Sequence, residues 1–350
     1  MIDFPGMKAP RQPLNRRQVG SLLLGAAAAG VTHTALARPR VEDVRVVDFD
    51  WIDGDRARPV PVRLYWPNTS SRRGPVPLVV FSHGLGQSRT GYSYLGRHWS
   101  SRGVASLHLQ HVGSDTSIWT GNPLALFDRI DTAAQEQEAL ARARDLRFAL
   151  DRLLIQDGGA FGDRIDSRRI VAAGHSYGAN TTLIAAGARV FREGRVLQCR
   201  DPRIKAGIVI SAPPFYGERD LRSVLGAVEI PTLHVTATED IIQLPGRISP
   251  VSDRLDVYEA IATTRKVLAV FQGGSHSIFT DRPMTGGVIL NPQVKEATAS
   301  AALAFLDLAL RDEPEPLRAW SATWRPILAV APVGFETASR SRPSVSSRGT

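Results

Sequence analysis

The chain has 350 residues, of which 43% are hydrophobic, a formal net charge of +9 and a single cysteine, Cys199. That length and apolar content are enough for one large core, while a lone cysteine excludes an intrachain disulfide and the lack of a Cys/His cluster argues against a structural zinc. The basic residues are nearly all arginine and are scattered along the chain, with no segment resembling a nucleic-acid module. The charge therefore suits a soluble surface capable of transient contact with an anionic membrane, and no nucleic acid is expected as partner.

In chain order, residues 1–37 read as a signal peptide of the twin-arginine type. Asn15-Arg16-Arg17-Gln18-Val19 carries the arginine pair, Ser21 to Val31 is apolar and alanine-rich, and Ala35-Leu36-Ala37 is a small-x-small cleavage pattern. The apolar run falls short of the ~20 residues that span a bilayer, which favours a cleaved signal over an anchor. Gln18-Val19-Gly20 departs from the strongest form of the motif, so ordinary secretion stays open as the route. The expected location is periplasmic or secreted, with the export machinery as a partner. Loss of residues 1–37 removes Lys8, Arg11, Arg16, Arg17 and Asp3, leaving a net charge of +6.

Val44 to Ile52 and Val60 to Trp66 alternate apolar and polar residues, which predicts an antiparallel pair joined through Asp53-Gly54-Asp55. Pro77 to Ser82 is a buried strand, followed by the loop His83-Gly84-Leu85-Gly86; Val104 to Leu109 is the next buried strand. His111 to Ile130 is less regular and carries Trp119, Leu124, Leu126 and Phe127. Its place after a strand's C-terminal end suggests a flap at the rim of a site, the alternative being a surface excursion with its aromatics tucked into the core. His111 and Asp115 are too few to hold a metal. Thr132 to Leu154 reads as one long amphipathic helix, apolar at Leu140, Leu146, Ala149, Leu150 and Leu153.

Arg169-Ile170-Val171-Ala172-Ala173 then runs into Gly174-His175-Ser176-Tyr177-Gly178 and the small-residue helical run from Ala179 to Ala186. Strand, G-x-S-x-G turn and helix in that order form the nucleophile elbow of an α/β-hydrolase, with Ser176 as nucleophile in a strained turn. Serine needs a base, and the base needs an orienting acid, in the chain order Ser, Asp or Glu, His. Downstream, His234 lies inside the apolar run Pro231 to Thr236 and reads as a core histidine. His276 sits in Gly273-Gly274-Ser275-His276-Ser277, after the strand Val267 to Phe271, and is the candidate base. Asp240, after the strand Thr232 to Ala237, is the candidate acid; Glu239, Asp253 and Asp256 remain alternatives, as does a turn or cap role for Asp240. Oxyanion donors are expected at the backbone N–H groups of Tyr177, after the nucleophile, and Leu85, in the early glycine loop. His83 reads as a brace for that loop. Pro213 to Leu225 is a second candidate for the rim, and Ala297 to Leu310 is the helix after the histidine. Alternating strands and helices predict an α/β fold with a mostly parallel central sheet and helices on both faces. One catalytic domain is expected over 38–338, and the Arg/Ser/Pro-rich residues 339–350 are expected to be disordered.

Phe81-Ser82-His83-Gly84-Leu85-Gly86, continued by Arg89-Thr90, Tyr92-Ser93, Gly96 and Ser101-Arg102-Gly103, resembles the platelet-activating factor acetylhydrolases and the bacterial proteins called predicted dienelactone hydrolases. The elbow is similar to that family's G-H-S-aromatic-G, and the likeness runs from about Val76 to about Phe279. It implies a serine carboxylester hydrolase with no metal and no organic cofactor, using Ser176, His276, Leu85 and Tyr177 in the roles above. It also implies a small-molecule or lipid ester as substrate, with short acyl chains and acetylated lipids in view.

Two departures stand out. In the eukaryotic acetylhydrolases the acid follows the strand before the one that ends near Asp240, and here that region, Ile208 to Pro214, holds no carboxylate. Asp240 occupies instead the position used by cutinase-like polyesterases, which bears on the substrate rather than on ester chemistry. Ala179 also replaces the glycine that often follows the elbow. True dienelactone hydrolases use a cysteine nucleophile, which Ser176 argues against. Polyester hydrolysis, peptide hydrolysis and a non-catalytic binding role on the same scaffold are the alternatives.

Overall fold

The computed structural model describes residues 44–68, 74–156, 161–244 and 247–335. The expected signal peptide and the tail 339–350 lie outside the described residues. The strands and helices run β1 (Val44–Asp53), β2 (Arg58–Pro67), β3 (Val76–Ser82), α1 (Ser93–Ser100), β4 (Ala105–Leu109), α2 (Leu126–Ala133), α3 (Glu136–Asp151), β5 (Ile165–His175) and α4 (Tyr177–Ala186). They continue with β6 (Arg189–Arg192), β7 (Arg195–Gln198), β8 (Ile204–Ile210), α5 (Leu221–Leu225), β9 (Thr232–Glu239), β10 (Ile242–Leu244), β11 (Arg247–Ser249), α6 (Val251–Ala260), β12 (Lys266–Ser275), α7 (Leu290–Arg311), α8 (Glu315–Trp324) and β13 (Leu328–Val330).

A nine-stranded sheet in the order β1-β2-β4-β3-β5-β8-β9-β12-β13 forms the middle layer. The inner strands from β4 to β12 are all parallel, while β1 and β2 at one edge and β13 at the other join antiparallel. The alternating residues of β1 and β2 pair from Val44 with Pro67 to Asp53 with Arg58, so this edge has one polar face. β3 and β5 instead carry near-continuous apolar runs because helices cover both faces. Val79 and Phe81 pack with Trp99 of α1 and Phe305 of α7, whereas Leu78 and Val80 pack with Leu146 and Leu150 of α3. Such a strand cannot slip by one residue without exchanging its two cores.

One helix expected over Thr132 to Leu154 is two. α2 ends at Ala133, Gln135 is extended (φ −67°, ψ 155°), and α3 starts at Glu136 with Glu136 and Glu138 in its first turn, where acidic side chains favour a helix start. α3 then loosens into a π-helical turn over Arg152–Gln156. The last helix of the expected set, Ala297 to Leu310, begins earlier, at Leu290.

Every parallel strand points its C-terminal end to one edge of the sheet. β3 delivers His83 there, β5 delivers Ser176, β8 delivers Ser211, β9 delivers Asp240 and β12 delivers His276. Residues far apart in sequence thus converge where open α/β sheets bind their ligands.

Candidate active site

Ser176 stands between β5 and α4 with φ 55° and ψ −124°, a conformation that L side chains rarely adopt. The turn is held by close backbone approach. A Cβ on Gly174 would fall 2.1 Å from the Gly178 carbonyl oxygen, and one on Gly178 would fall 1.9 Å from that of Ser82. Only glycine fits at either position.

Ser176 Oγ lies 2.9 Å from His276 Nε2, and His276 Nδ1 lies 2.8 Å from Asp240 Oδ1. The carboxylate accepts the Nδ1–H, which leaves Nε2 free to accept the serine proton. Asp240 is fully buried, and its second oxygen accepts a hydrogen bond of 2.7 Å from Thr236 Oγ1. Burial alone would raise its pKa, but the hydrogen bond and charge of His276, the Arg254 guanidinium 3.7 Å away and the Ser211 hydroxyl together hold it well below the usual carboxylate range. Of the alternatives for the acid, Glu239 is exposed, and Asp253 accepts from Ser249 rather than reaching His276.

Ser176 and His276 line a cavity of about 680 Å3, as do Leu85 and Tyr177. Gly84 N–H is 3.3 Å from the Tyr92 hydroxyl and Gly86 N–H donates to the Ser114 carbonyl at 2.9 Å, which fixes the backbone on both sides of Leu85. His83 is buried; its Nε2 accepts the His111 N–H at 3.1 Å and its Nδ1 is 2.7 Å from the Gly84 carbonyl, so it braces the loop from both ends. His234 is buried in β9 against Tyr258. The flap contributes Trp119, whose indole N–H donates to the Gly86 carbonyl at 2.8 Å, but Leu124 and Phe127 point outward, at 89% and 58% exposure. Pro213 to Glu218 supplies the opposite rim. There Arg192, on the hairpin of β6 and β7, bridges Glu218 and Glu136.

Three further residues join the site, two of them, Ser211 and Arg142, with no motif-level signal. His175, the variable residue of the pentapeptide, donates Nε2–H to the His276 carbonyl (3.1 Å) and accepts from the Tyr92 hydroxyl at Nδ1 (2.8 Å). Burial keeps its pKa well below that of a free imidazole, so it stays neutral and ties the elbow, the glycine loop and His276 together. Ser211, at φ 52°, sets its hydroxyl 2.7 Å from His276 Nδ1, at the strand end where the sequence lacks a carboxylate. Arg142 of α3 is fully buried beside the glycine loop.

A second serine–histidine–aspartate arrangement lies beneath the first. Ser82 Oγ is 3.1 Å from His111 Nε2 and His111 Nδ1 is 3.0 Å from Asp145 Oδ2, with all three side chains closed off from solvent. Asp145 is shared with Arg58 and Arg56, each at 2.9 Å. His111 therefore belongs to this cluster and not to a metal site; among the described residues no group of three or more His, Cys, Asp or Glu is placed to hold a metal ion.

The family model for platelet-activating factor acetylhydrolase, isoform II, matches residues 51–146. Cutinase est2 of Thermobifida alba is 29% identical over 157 residues, covering 43% of this chain and 46% of the relative. Cutinase est1 of the same organism is 28% identical over 193 residues, covering 53% of this chain and 57% of the relative. The chain thus spans about half the length of the curated relatives it matches. A ferulic acid esterase from Streptomyces cinnamoneus superposes with a TM-score of 0.55 at 24% identity, over 80% of this chain and 94% of that one. The fold is that of the α/β-hydrolases.

Proposed function

We propose that this chain is a serine carboxylester hydrolase working through an acyl-enzyme on Ser176. The observation that carries the reading is the continuous hydrogen-bonded path from Ser176 through His276 to Asp240, 2.9 and 2.8 Å per link, with its serine end on the 680 Å3 cavity. As Oγ bonds to the ester carbon, its proton passes to His276 Nε2 and the carbonyl π pair moves onto oxygen. The N–H groups of Leu85 and Tyr177 receive that oxyanion. Collapse breaks the bond to the alcohol, which leaves with the proton from His276. Water then attacks the acyl carbon by the same route and releases the acid. Asp240 holds the imidazole in the needed tautomer and stabilises its charged form throughout.

Short-acyl esters, acetylated lipids among them, are the proposed substrates. Polyester hydrolysis is the second reading, supported by relatives named cutinases and by Trp119, Tyr216 and Ile241, apolar side chains that are exposed yet line the cavity. The test is hydrolysis of p-nitrophenyl esters from acetate to palmitate, alongside a polyester film. Activity peaking at acetate or butyrate supports the first reading; release of monomer from the film with little preference among soluble esters supports the second; inactivity of folded protein on all of them overturns both. Export belongs to the same proposal and rests on the pattern of residues 1–37. Retention in the cytoplasm of a reporter carrying that segment would remove it.

A further inference from the structure

The oxyanion loop and the elbow come from different strands, yet their two N–H groups must converge on one oxygen atom. Something has to fix the distance between them. Arg142 lies where that could be done. It sits on α3, away from every motif, and its guanidinium is fully buried. Its three hydrogen bonds go to neutral oxygens: Nη2 to the His83 carbonyl, Nη1 to Ser114 Oγ at 2.8 Å and Nε to Thr181 Oγ1 at 2.9 Å. Its plane also lies over the Tyr177 ring, 4.5 Å from the centroid.

These partners fall into two groups. His83 opens the loop that presents Leu85. Tyr177 and Thr181 form the first turn of α4, and the Thr181 hydroxyl donates back to the Tyr177 carbonyl at 3.1 Å. A rigid, forked cation therefore bonds the loop on one side and the elbow helix on the other. No carboxylate bonds it: Glu138 is linked to it through Ser114, whose hydroxyl donates to Glu138 at 2.8 Å, and Glu138 and Asp145 of the same helix act on it only through space. A buried cation satisfied mainly by neutral acceptors is costly for folding alone. Tying the glycine loop to the elbow helix gives it a use.

We infer that Arg142 is a positioning residue for the oxyanion hole, setting the spacing between the N–H groups of Leu85 and Tyr177. The inference rests on the serine-hydrolase reading, which Ser176→Ala tests separately. If that variant keeps full activity, the reading fails whatever Arg142 does.

The experiment compares Arg142→Met, Arg142→Lys and Thr181→Val in the full chain with p-nitrophenyl butyrate. It adds two inhibitors of matched carbon skeleton. A trifluoromethyl ketone takes the Ser176 oxygen on its carbonyl carbon and so creates an oxyanion, and the corresponding secondary alcohol fills the cavity without one. Arg142→Met should lower kcat on the order of 10- to 100-fold, with KM within about threefold. Affinity for the ketone should fall in parallel, and affinity for the alcohol should hold. Arg142→Lys should recover part of the loss, because it keeps the charge but not the fork. If both Arg142 variants fail to fold, Thr181→Val, which removes the bond from Arg142 Nε together with the hydroxyl's own bond to the Tyr177 carbonyl, should still show a few-fold loss in kcat and ketone affinity with the alcohol unaffected. Unchanged kcat in the folded variants, or equal losses for ketone and alcohol, would overturn the inference.

Discussion

Two serine–histidine–aspartate paths run through this molecule, and their lengths barely differ: 2.9 and 2.8 Å for Ser176, His276 and Asp240, against 3.1 and 3.0 Å for Ser82, His111 and Asp145. What differs is everything around the links. Ser176 stands in a strained turn at the lip of a cavity; Ser82 ends a regular strand and is sealed. Asp240 bonds His276 directly and has one guanidinium, Arg254, 3.7 Å away, whereas Asp145 divides itself among His111, Arg56 and Arg58. Burial, and then the charges of Arg142, Arg58 and Arg56, hold His111 far below its usual pKa, so it resists taking a proton. The order of hydrogen bonds therefore does not make a nucleophile. Access, backbone strain and a base able to become charged do.

The sharpest test sets the two serines against each other. Ser176→Ala should reduce kcat by about 10⁴-fold or more and leave the melting temperature nearly unchanged. Ser82→Ala should keep most of the activity and lose about 1–2 kcal/mol of stability, through an unsatisfied His111 nitrogen. Equal losses of activity would end the distinction. Next come the two acids. Asp240→Asn should cost roughly 10⁴-fold in kcat, since an amide no longer holds the imidazole tautomer. Asp145→Asn should act on folding, by about 1–3 kcal/mol, because the partly buried Arg56 and Arg58 keep Asp53 and Glu138 but lose their shared carboxylate. Chemical denaturation and kinetics on the same preparations separate the outcomes.

The last comparison turns on pH. His83, His108, His111, His175 and His234 are all buried, and burial lowers each pKa, to about 3 for His108 and His234. A folded pKa below the unfolded value near 6.5 means that the unfolded chain binds more protons under acid conditions. Their contribution is complete above about pH 6.5 and declines as pH falls toward the folded values, with a slope of at most about 1.4 kcal/mol per pH unit for each histidine. Urea melts at pH 7.5, 6 and 5 should show the decline, and His111→Gln should flatten it by up to one histidine's share. An unaltered slope would mean that His111 is not held neutral.

The elbow, the strand-end loops and the edge pair β1 and β2 were legible in the sequence because each is written locally, in glycines that permit close approach or in a period of two. Asp240 and His276 could be named as candidates because chain order and strand ends restrict the choice. Ser211, Arg142 and Asp145 could not be, nor could the contacts of His175, since their partners lie far along the chain: Tyr92 is 83 residues from His175, and Ser211 is 65 from His276. The break between α2 and α3 was hidden by helix-forming residues on both sides of Gln135. The hairpin of β6 and β7 escaped for another reason. Its turn residues, Glu193 and Gly194, take φ of 50° and 75°, yet Glu-Gly lacks the asparagine or aspartate that usually marks such a turn.

That hairpin tip also divides the chain into two unequal partners. Ser176, Tyr177 and Leu85 precede Glu193, and Ser211, Asp240 and His276 all follow it. The two portions meet along the parallel pair of β5 and β8, where Ala173 faces Ile208 and His175 faces Ile210. On the proposed reading, a chain severed at the tip would hold the serine in one piece and its histidine and aspartate in the other, so neither piece alone would carry the whole hydrogen-bonded path.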